Sequence, residues 1–351
     1  MKALVLGGSG FVGSYVVRAL LRAGHEVAVL TRRPAEPGEL RGVEVERIRG
    51  DLHAPESLAA AFHGRDLVVH AAGVLSLWPK HDGELYRTNV LGTRNVVEAC
   101  LAAGVGRLVY TGSIGVYGGT PTPVPVDERG APTPERFHSF HVTSMCLAEA
   151  EVWKGLARGL DAVLVHPSLC VGAGDRGFHS SWAMVGLSMI RVPVVPPGGL
   201  NVVDVEDVAH AHVLAAEKAP RGAAYLIGGE NLTNRAYADL LGEVLGLSRL
   251  RLPLTRLGVR AAGTVAELVA RARGVDRGTY ITLNEAMSTA MSLYWFLDDT
   301  KARRELGYGS GPIRPAVERQ VAWLRDEGFM PETGFGWRDF ANRFLGGDLA
   351  D

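Results

Sequence analysis

Cysteine and lysine are both scarce in this sequence. Its 351 residues include three cysteines and five lysines, whereas arginine supplies the remaining 32 of its 37 basic residues. The cysteines, Cys100, Cys146 and Cys170, form no Cys-x-x-Cys pair, which argues against a disulfide framework and against a cysteine-based zinc site. The composition therefore favours a protein of the reducing cytoplasm.

The sequence also lacks an excess of either charge and any long apolar run. Its 37 basic residues nearly balance 38 acidic ones, and a formal charge of −1 argues against non-specific nucleic-acid binding. The longest uncharged stretches, such as residues 177–190, are shorter than the roughly 20 residues of a membrane-spanning helix. The N-terminus runs directly into glycine without the pattern of an export signal. We expect no nucleic-acid partner and no membrane partner.

Glycine is abundant, with 44 residues, and the first half of the chain alternates short apolar runs with helical patterns. Strands are predicted at residues 3–6, 27–30, 43–48, 67–70, 108–111 and 162–165, and helices at residues 11–23, 55–62, 85–103 and 138–158. This alternation predicts a parallel sheet covered on both faces. Right-handed crossovers then make it a doubly wound α/β fold of the Rossmann type.

The strand–helix pattern loosens after Pro167. Helical stretches follow at residues 205–219, 234–245, 255–273 and 315–326, with a late strand at residues 224–227. We predict a dinucleotide-binding domain over residues 1–168 and a smaller, helix-rich substrate lobe over residues 169–351. Segments at about residues 200–230 are expected to return to the sheet.

A glycine-rich loop follows the first predicted strand. Gly7, Gly10 and Gly13 have the GxxGxxG spacing between a strand and a helix, with Phe11 and Val12 at the start of that helix. Gly7 allows the tight turn, Gly10 lets a pyrophosphate approach the free N–H groups of the helix, and Gly13 permits close helix–strand packing. The context predicts a dinucleotide phosphate site.

The residues after the second predicted strand favour NADP over NAD. NAD sites usually place a carboxylate there for the ribose 2′-hydroxyl, but this sequence has Thr31, followed by Arg32 and Arg33. Guanidinium groups suit a 2′-phosphate in charge and geometry. Residues expected to line the rest of the cofactor follow the next two strands: Asp51, Leu52, Ala71, Ala72 and Gly73.

Further motifs extend in a fixed order over nearly the whole chain. They are Gly50–Leu52, His70–Gly73, Asn89–Asn95, Val109–Gly118, His166–Ser168, Asp204–Ala209 and Asp299–Tyr308. With these motifs the sequence resembles the extended short-chain dehydrogenase/reductase (NAD-dependent epimerase/dehydratase) family. Within it, the sequence is most similar to the dihydroflavonol-reductase-like and hopanoid-associated epimerase-like branch. The resemblance implies a homodimer and adds Thr111 and Pro167 to the cofactor site.

The family's catalytic residues are a Ser or Thr, a Tyr and a Lys, and only the first is matched. Ser113 corresponds to the residue that hydrogen-bonds the substrate carbonyl. His141 stands where the Tyr belongs and Met145 where the Lys belongs, because Ser144, Ala148 and Glu149 fix the register. No lysine of the chain lies four residues after a tyrosine. The active site is therefore atypical.

A histidine with an ordinary pKa near 6.5 needs no neighbouring cation to move a proton at neutral pH, whereas a tyrosine does. We therefore expect Ser113 to polarise a carbonyl and His141 to act as acid or base, with Tyr117 as a reserve acid and Met145 against the nicotinamide. The alternative is that His141 is an ordinary helix histidine and Met145 simply packs.

Three functions stay open at this stage: an NAD(P)-dependent oxidoreductase or epimerase-like enzyme; a dehydratase, isomerase or cyclase without net redox; and a catalytically lapsed dinucleotide-binding protein. Trp78, Phe178 and Trp182 are expected to line an apolar substrate pocket, while Arg176 and Arg191 are the candidates for binding a diphosphate. His210 and His212 point apart on a helix, so we expect no metal site.

Overall fold

The computed structural model describes residues 1–35, 38–77, 81–130, 139–181, 184, 194–247, 252–272 and 285–330. Seven parallel strands form the main sheet: β1 (Lys2–Leu6), β2 (Glu26–Thr31), β3 (Glu46–Arg49), β4 (Leu67–His70), β5 (Arg107–Thr111), β6 (Ala162–Pro167) and β10 (Ala224–Ile227). Their spatial order is β10–β6–β5–β4–β1–β2–β3. The order reverses at β1, so the sheet is doubly wound and the predicted Rossmann-type fold is confirmed.

Helices cover both faces of the main sheet. The principal ones are α1 (Phe11–Arg22), α4 (Gly92–Ala103), α5 (Phe140–Ala157) and α6 (Val205–Lys218); α2 (Ala59–Phe62) and α3 (Asp82–Leu85) are short. Successive strand residues face opposite sides, so Ala3 and Val5 pack with α1 and α6, whereas Leu4 and Leu6 pack with α2, α4 and α5. The central strands consequently read as continuous apolar runs.

Two smaller sheets lie in the second half of the chain. One contains β7 (Leu169–Val171), β9 (Gly199–Asp204), β11 (Glu230–Thr233) and β13 (Tyr294–Trp295), and the other pairs β8 (Val194–Val195) with β12 (Leu252–Pro253). The accompanying helices are α7 (Asn234–Leu245), α8 (Arg256–Ala272), α9 (Glu285–Met291), α10 (Thr300–Leu306) and α11 (Ile313–Asp326). Of the segment expected to return to the main sheet, β10 does so, whereas β9 lies in the second sheet.

Three other predicted elements differ from the structure. The helix predicted at residues 55–62 is a 3₁₀ turn, Pro55–Ser57, followed by the short α2. The strand predicted at residues 43–48 begins at Glu46, because Val43 and Val45 pack against the core without pairing to a neighbouring strand. The helix predicted at residues 85–103 is interrupted by a π-helical turn, Tyr86–Leu91, before α4. Among the described residues, no helix is both long and apolar enough to cross a lipid bilayer.

Candidate functional site

The glycine-rich loop between β1 and α1 has the shape of a phosphate cradle. A Cβ atom on Gly7 would lie 2.7 Å from the Ala71 backbone, and one on Gly13 would lie 2.1 Å from the Gly7 carbonyl oxygen. Gly10 caps α1 with backbone alone, because no side chain caps this helix. The N–H groups of the first turn, which includes Phe11 and Val12, are therefore open to an anion. These residues fit the pyrophosphate of a dinucleotide.

The end of β2 carries the residues predicted to meet the ribose. Thr31 accepts a hydrogen bond from the Arg33 backbone N–H at 3.2 Å, and the Arg32 and Arg33 side chains are exposed. No carboxylate occupies the position of Thr31. The local charge at this strand end is therefore positive.

The remaining predicted cofactor residues follow β3 and β4 at the same edge of the sheet. The Ala71 N–H continues the ladder by donating to the Leu6 carbonyl at 3.0 Å. A Cβ atom on Gly73 would lie 3.4 Å from Asn89 Oδ1, so the backbone approaches a side chain closely there. Residues at this edge whose cofactor role stays a prediction are Asp51, Leu52, Ala71, Ala72, Gly73, Thr111 and Pro167.

Ser113 caps a short 3₁₀ turn, Ile114–Tyr117, at the end of β5. Its Oγ accepts the Gly115 N–H at 3.1 Å, which leaves the hydroxyl hydrogen to donate elsewhere. A Cβ atom on Gly115 would meet both Ser113 Oγ and Val142, at 3.2 and 3.4 Å. Gly115 therefore allows the first turn of α5 to lie against Ser113.

A polar network fixes the start of α5. Ser139 caps the helix by accepting the His141 N–H at 3.2 Å, and Ser144 Oγ donates to the His141 carbonyl at 2.7 Å. Asn89 donates to Ser144 Oγ at 3.0 Å and bonds both the N–H and the carbonyl of Val74, at 2.8 and 2.9 Å. One buried amide thus holds the loop after β4 against the helix turn that carries His141.

His141 is enclosed by this arrangement, and burial lowers its pKa to about 4. The charge of nearby His179 lowers the pKa further, and a backbone hydrogen-bonding interaction with Val74 opposes the shift. This pKa lies well below the ordinary histidine value near 6.5, because the protonated ring is poorly solvated. The imidazole is neutral at neutral pH, and its buried Nδ1 has no hydrogen-bond partner in the described part of the chain.

Met145 lies one turn after His141 and is partly buried. It packs against the core beneath the sheet and also against a second apolar cluster that includes Ile114, Tyr117 and Leu297. The described lysines near or beyond this helix have other partners: Lys154 pairs with Glu151, Lys218 donates to the Leu306 carbonyl and Lys301 donates to the Ala224 carbonyl. None of these three replaces the missing lysine.

Tyr117 is buried, and its ring packs edge-on against His166 at 5.3 Å between centroids. Burial and then the charges of Glu149 and Glu128 raise the pKa of Tyr117 above its usual range, so the phenol stays protonated at neutral pH. His166 Nε2 lies 3.0 Å from the Glu149 carboxylate. The Tyr117 ring therefore packs against a buried His166–Glu149 pair.

His179 is the residue near this site that the sequence patterns did not single out. It is exposed, and its backbone N–H donates to buried Asp175 at 2.9 Å. Asp175 also accepts from the N–H and hydroxyl groups of Ser180 and Ser181. The turn bearing His179 is therefore firmly held. The tertiary fold brings it near His141, and no local sequence motif marks it.

The structure describes only some of the residues predicted to bind substrate, and those have other contacts. Phe178 packs edge-on against Phe329 at 5.0 Å in the core of the second half, so its role in binding stays a prediction. Trp78, Trp182 and Arg191 lie outside the described residues. Arg176 bonds Glu39 and Glu327 at 2.5 and 2.7 Å, so its charge is already paired. The described residues contain no cluster of side chains that could hold a metal ion.

A glycine cradle at the reversal of a doubly wound sheet, with Ser113 and the start of α5 beside it, defines a nicotinamide dinucleotide-binding protein of the short-chain dehydrogenase type. The model of the NAD dependent epimerase/dehydratase family matches residues 3–228. The chain belongs to this family, whose members include reductases, dehydrogenases and epimerases, and it is therefore an enzyme of the oxidoreductase and epimerase/dehydratase superfamily.

Two relatives and one solved structure illustrate the similarity. A putative dihydroflavonol 4-reductase from Synechocystis sp. is 31% identical, over 93% of this chain and 95% of its own length. A 2-alkyl-3-oxoalkanoate reductase from Stenotrophomonas maltophilia is 32% identical, over 88% of this chain and 94% of its own length. The crystal structure of gox2253 has a TM-score of 0.81 and 31% identity, over 94% of this chain and 99% of its own.

Proposed function

We propose that the protein interconverts a secondary alcohol and a ketone on an apolar molecule with NADP(H), using Ser113 and His141. One observation carries the proposal: the Nδ1 atom of His141 is buried without a hydrogen-bond partner in the described residues. A buried polar atom of this kind calls for an explanation. His70 and His166 also have a buried, unpartnered Nδ1, but they lie within the core, whereas His141 retains partial exposure.

The proposed chemistry follows from the states of these side chains. The neutral imidazole of His141 accepts the hydroxyl proton as the alcohol becomes a ketone. The hydroxyl hydrogen of Ser113 bonds the substrate oxygen in both states. Tyr117, held in its protonated form, serves as a hydrogen-bond donor rather than a base. The loop of Gly7, Gly10 and Gly13 would hold the dinucleotide, which would supply or take up the hydride.

The preference for NADP is supported by the end of β2. Arg32 and Arg33 are exposed there, and Thr31 takes the place of the carboxylate that an NAD site usually presents. Guanidinium groups bind a 2′-phosphate through charge-assisted hydrogen bonds.

An apolar substrate is supported by the surroundings of the site and by the relatives. Ile114, Val116 and Met145 form an apolar cluster with Trp295 and Leu297 beside Ser113. Arg176, the one described candidate for a sugar-nucleotide diphosphate, is committed to Glu39 and Glu327. The names of the relatives, a dihydroflavonol reductase and an alkyl-oxoalkanoate reductase, also point to ketones on apolar skeletons.

We also propose that the enzyme works in the cytoplasm as a homodimer. The cytoplasmic location is supported by three free cysteines. The dimer is supported by exposed apolar side chains on and beside the helices α4 and α5, namely Tyr86, Leu147 and Trp153.

The test is His141→Gln, compared with His63→Gln at an exposed histidine remote from the site. We expect the His141 variant to lose at least about a hundredfold in kcat/KM on a panel of apolar ketones, because general acid–base catalysis contributes this much. NADPH affinity should stay within a few-fold, and the His63 variant should resemble the parent. Undiminished turnover in the His141 variant would refute the assignment.

The non-redox and lapsed alternatives predict different readings. A dehydratase, isomerase or cyclase would form product without a change in nicotinamide absorbance. A lapsed protein would bind NADPH and turn over nothing, in keeping with the apolar Met145 position. In that case the double change His141→Tyr with Met145→Lys is the informative variant, because reductase activity arising only in it would identify a lapsed site.

A further inference from the structure

The structure contains a buried pair of ionisable residues that the proposed chemistry does not use. Glu149 is 7% exposed and His166 is fully buried. His166 Nε2 donates to Glu149 Oε2 at 3.0 Å, and Trp153 Nε1 donates to Glu149 Oε1 at 3.1 Å. Burial alone would raise the pKa of Glu149, but its interactions with His166 and Trp153 outweigh burial and hold that pKa below its usual range. An apolar pair would serve packing equally well, so the buried carboxylate calls for another explanation.

The His166 ring contacts both ends of the turn that carries the two hydroxyl groups of the site. Gly112, the residue before Ser113, donates its N–H to the Val165 carbonyl at 2.8 Å, which brings its backbone beside His166. A Cβ atom on Gly112 would lie 2.4 Å from His166 Cδ2. At the other end of the turn, the Tyr117 ring packs edge-on against the same imidazole at 5.3 Å between centroids. One buried ring therefore supports the backbone at Ser113 and the side chain of Tyr117.

Glu149 links this imidazole to the helix that carries His141. Both residues are on α5, and Glu149 follows His141 by about two turns. The contacts that Val142 and Met145 of this helix make with the turn are apolar. Apolar contacts have no preferred direction, whereas a hydrogen bond to a carboxylate is short and directional. The bond between Glu149 and His166 therefore sets how the turn lies relative to His141.

We propose that Glu149 and His166 are positioning residues, which hold the hydroxyl groups of Ser113 and Tyr117 in place relative to His141. Glu149 fixes the orientation of the His166 ring, and the ring fixes the turn. The inference rests on the proposed function, in which the two hydroxyl groups and the His141 imidazole meet the substrate. Neither Glu149 nor His166 carries the proton, so breaking the pair should leave the pH dependence of the reaction unchanged.

The test variant is Glu149→Gln, which keeps the size of the side chain. Its amide oxygen can accept from one of the two N–H groups, while its NH₂ group opposes the other. The matched control is Glu151→Gln. Glu151 is also 7% exposed and also lies on α5, but it bonds Arg94 and Lys154 instead.

We expect kcat for ketone reduction to fall at least about tenfold in Glu149→Gln, because misplacing reacting groups by about 1 Å costs up to about a hundredfold. The KM for the ketone and the affinity for NADPH should stay within a few-fold of the parent. Expressing kcat per NADPH-binding site removes unfolded molecules from the comparison. The Glu151→Gln variant should resemble the parent in all three quantities.

A second variant leaves both partners of the pair in place. In Gly112→Ala the new methyl group would lie 2.4 Å from His166 Cδ2, so the ring must move although Glu149 is unchanged. The same fall in kcat is expected. This result does not depend on whether Glu149→Gln folds.

Fluorine NMR reports the position of the turn without turnover. In protein labelled with fluorotyrosine, the Tyr117 line is identified by its absence from Tyr117→Phe. Because the His166 ring packs edge-on against Tyr117, a change in the orientation of the imidazole alters the magnetic environment of the fluorine atom. The line should shift in Glu149→Gln and in Gly112→Ala, and it should keep its position in Glu151→Gln.

Four results would overturn the proposal. One is a parental kcat in Glu149→Gln. Another is a Tyr117 line that moves in neither test variant. The third is an equal loss of kcat in Glu149→Gln and Glu151→Gln, which would show a general weakening of α5. The fourth is a changed pH dependence in Glu149→Gln, which would make the pair a proton carrier. If the line shifts as expected but the parent reduces no ketone, the proposed function fails and the positioning of the turn stands.

Discussion

Replacing His141 by tyrosine together with Met145 by lysine should move the pH dependence of the enzyme from one direction of the reaction to the other. Oxidation of an alcohol releases one proton, so the ratio of forward to reverse kcat/KM changes tenfold per pH unit whatever the mechanism. The pKa of the acid–base residue decides which direction carries that change. Measuring kcat/KM against pH for both oxidation and reduction therefore determines that pKa.

The structure sets the magnitude. Burial holds the pKa of His141 at about 4, so at pH 7 only about one molecule in a thousand carries the imidazolium. Alcohol oxidation, which needs the neutral ring, should be independent of pH from about 5 upward. Ketone reduction, which needs the imidazolium, should fall about tenfold per pH unit over the same range. In His141→Tyr with Met145→Lys, a phenol would invert the pattern, with flat reduction and rising oxidation.

The assay is kcat/KM in both directions between pH 5 and pH 9, with a constant-ionic-strength buffer and an apolar secondary alcohol and its ketone. His141→Gln provides the baseline without a titrating group at this position. An inflection near pH 6.5 in the parent would contradict the burial argument. A reduction rate that is flat from pH 5 to pH 8 would show that His141 is not the proton donor.

Three further outcomes are expected. Gly13→Ala should abolish dinucleotide binding measured by nicotinamide fluorescence, because its methyl group would lie 2.1 Å from the Gly7 carbonyl oxygen; normal affinity would argue against the tight cradle. Arg32→Glu with Arg33→Glu should weaken NADPH at least about tenfold relative to NADH, by loss of charge-assisted bonds, and an unchanged ratio of dissociation constants would remove the basis for NADP. Burial lowers the pKa of His212 to about 4 in the folded state. As the pH falls from about 6.5 to 4, the unfolded state therefore binds a proton at His212 that the folded state does not bind, and the free energy of unfolding decreases. Urea unfolding should show a loss of about 3 kcal/mol across that range that His212→Gln does not share, and equal pH slopes would contradict it.

The main sheet could be predicted from sequence because its central strands are covered on both faces. Burial of every residue makes runs such as that in β4 continuous, and glycine directly follows β1, β3, β5 and β10. The edge strand β3 was placed less well, since Val43 and Val45 are partly buried without belonging to a ladder. An apolar sequence pattern predicts which residues are buried. Buried residues are also paired in a strand ladder in the interior of a sheet, but not at its edge.

The sequence is enough to predict which residues lie in the candidate site, but not the pKa of His141. The register of Ser144 and Glu149 is enough to place His141 on α5. Its pKa depends on the enclosure of the ring by the loop at Val74 and on His179, and neither is near it in sequence. A short motif contains no information about such long-range contacts. His179 itself carries no motif; the buried Asp175 holds its turn through backbone N–H groups and through the hydroxyl groups of Ser180 and Ser181.

The missing lysine is better understood as a consequence of His141 than as damage to a tyrosine site. A cation at position 145 would serve a phenol by lowering its pKa, but beside an imidazole it would disfavour the protonated ring still further. It would also have to be desolvated among Ile114, Tyr117 and Leu297, where Met145 packs without such a cost. A neutral base at 141 and an apolar residue at 145 are therefore physically compatible. Methionine at 145 beside a tyrosine at 141 would leave the phenol without a cation. Histidine at 141 beside a lysine at 145 would leave the cation with nothing to activate.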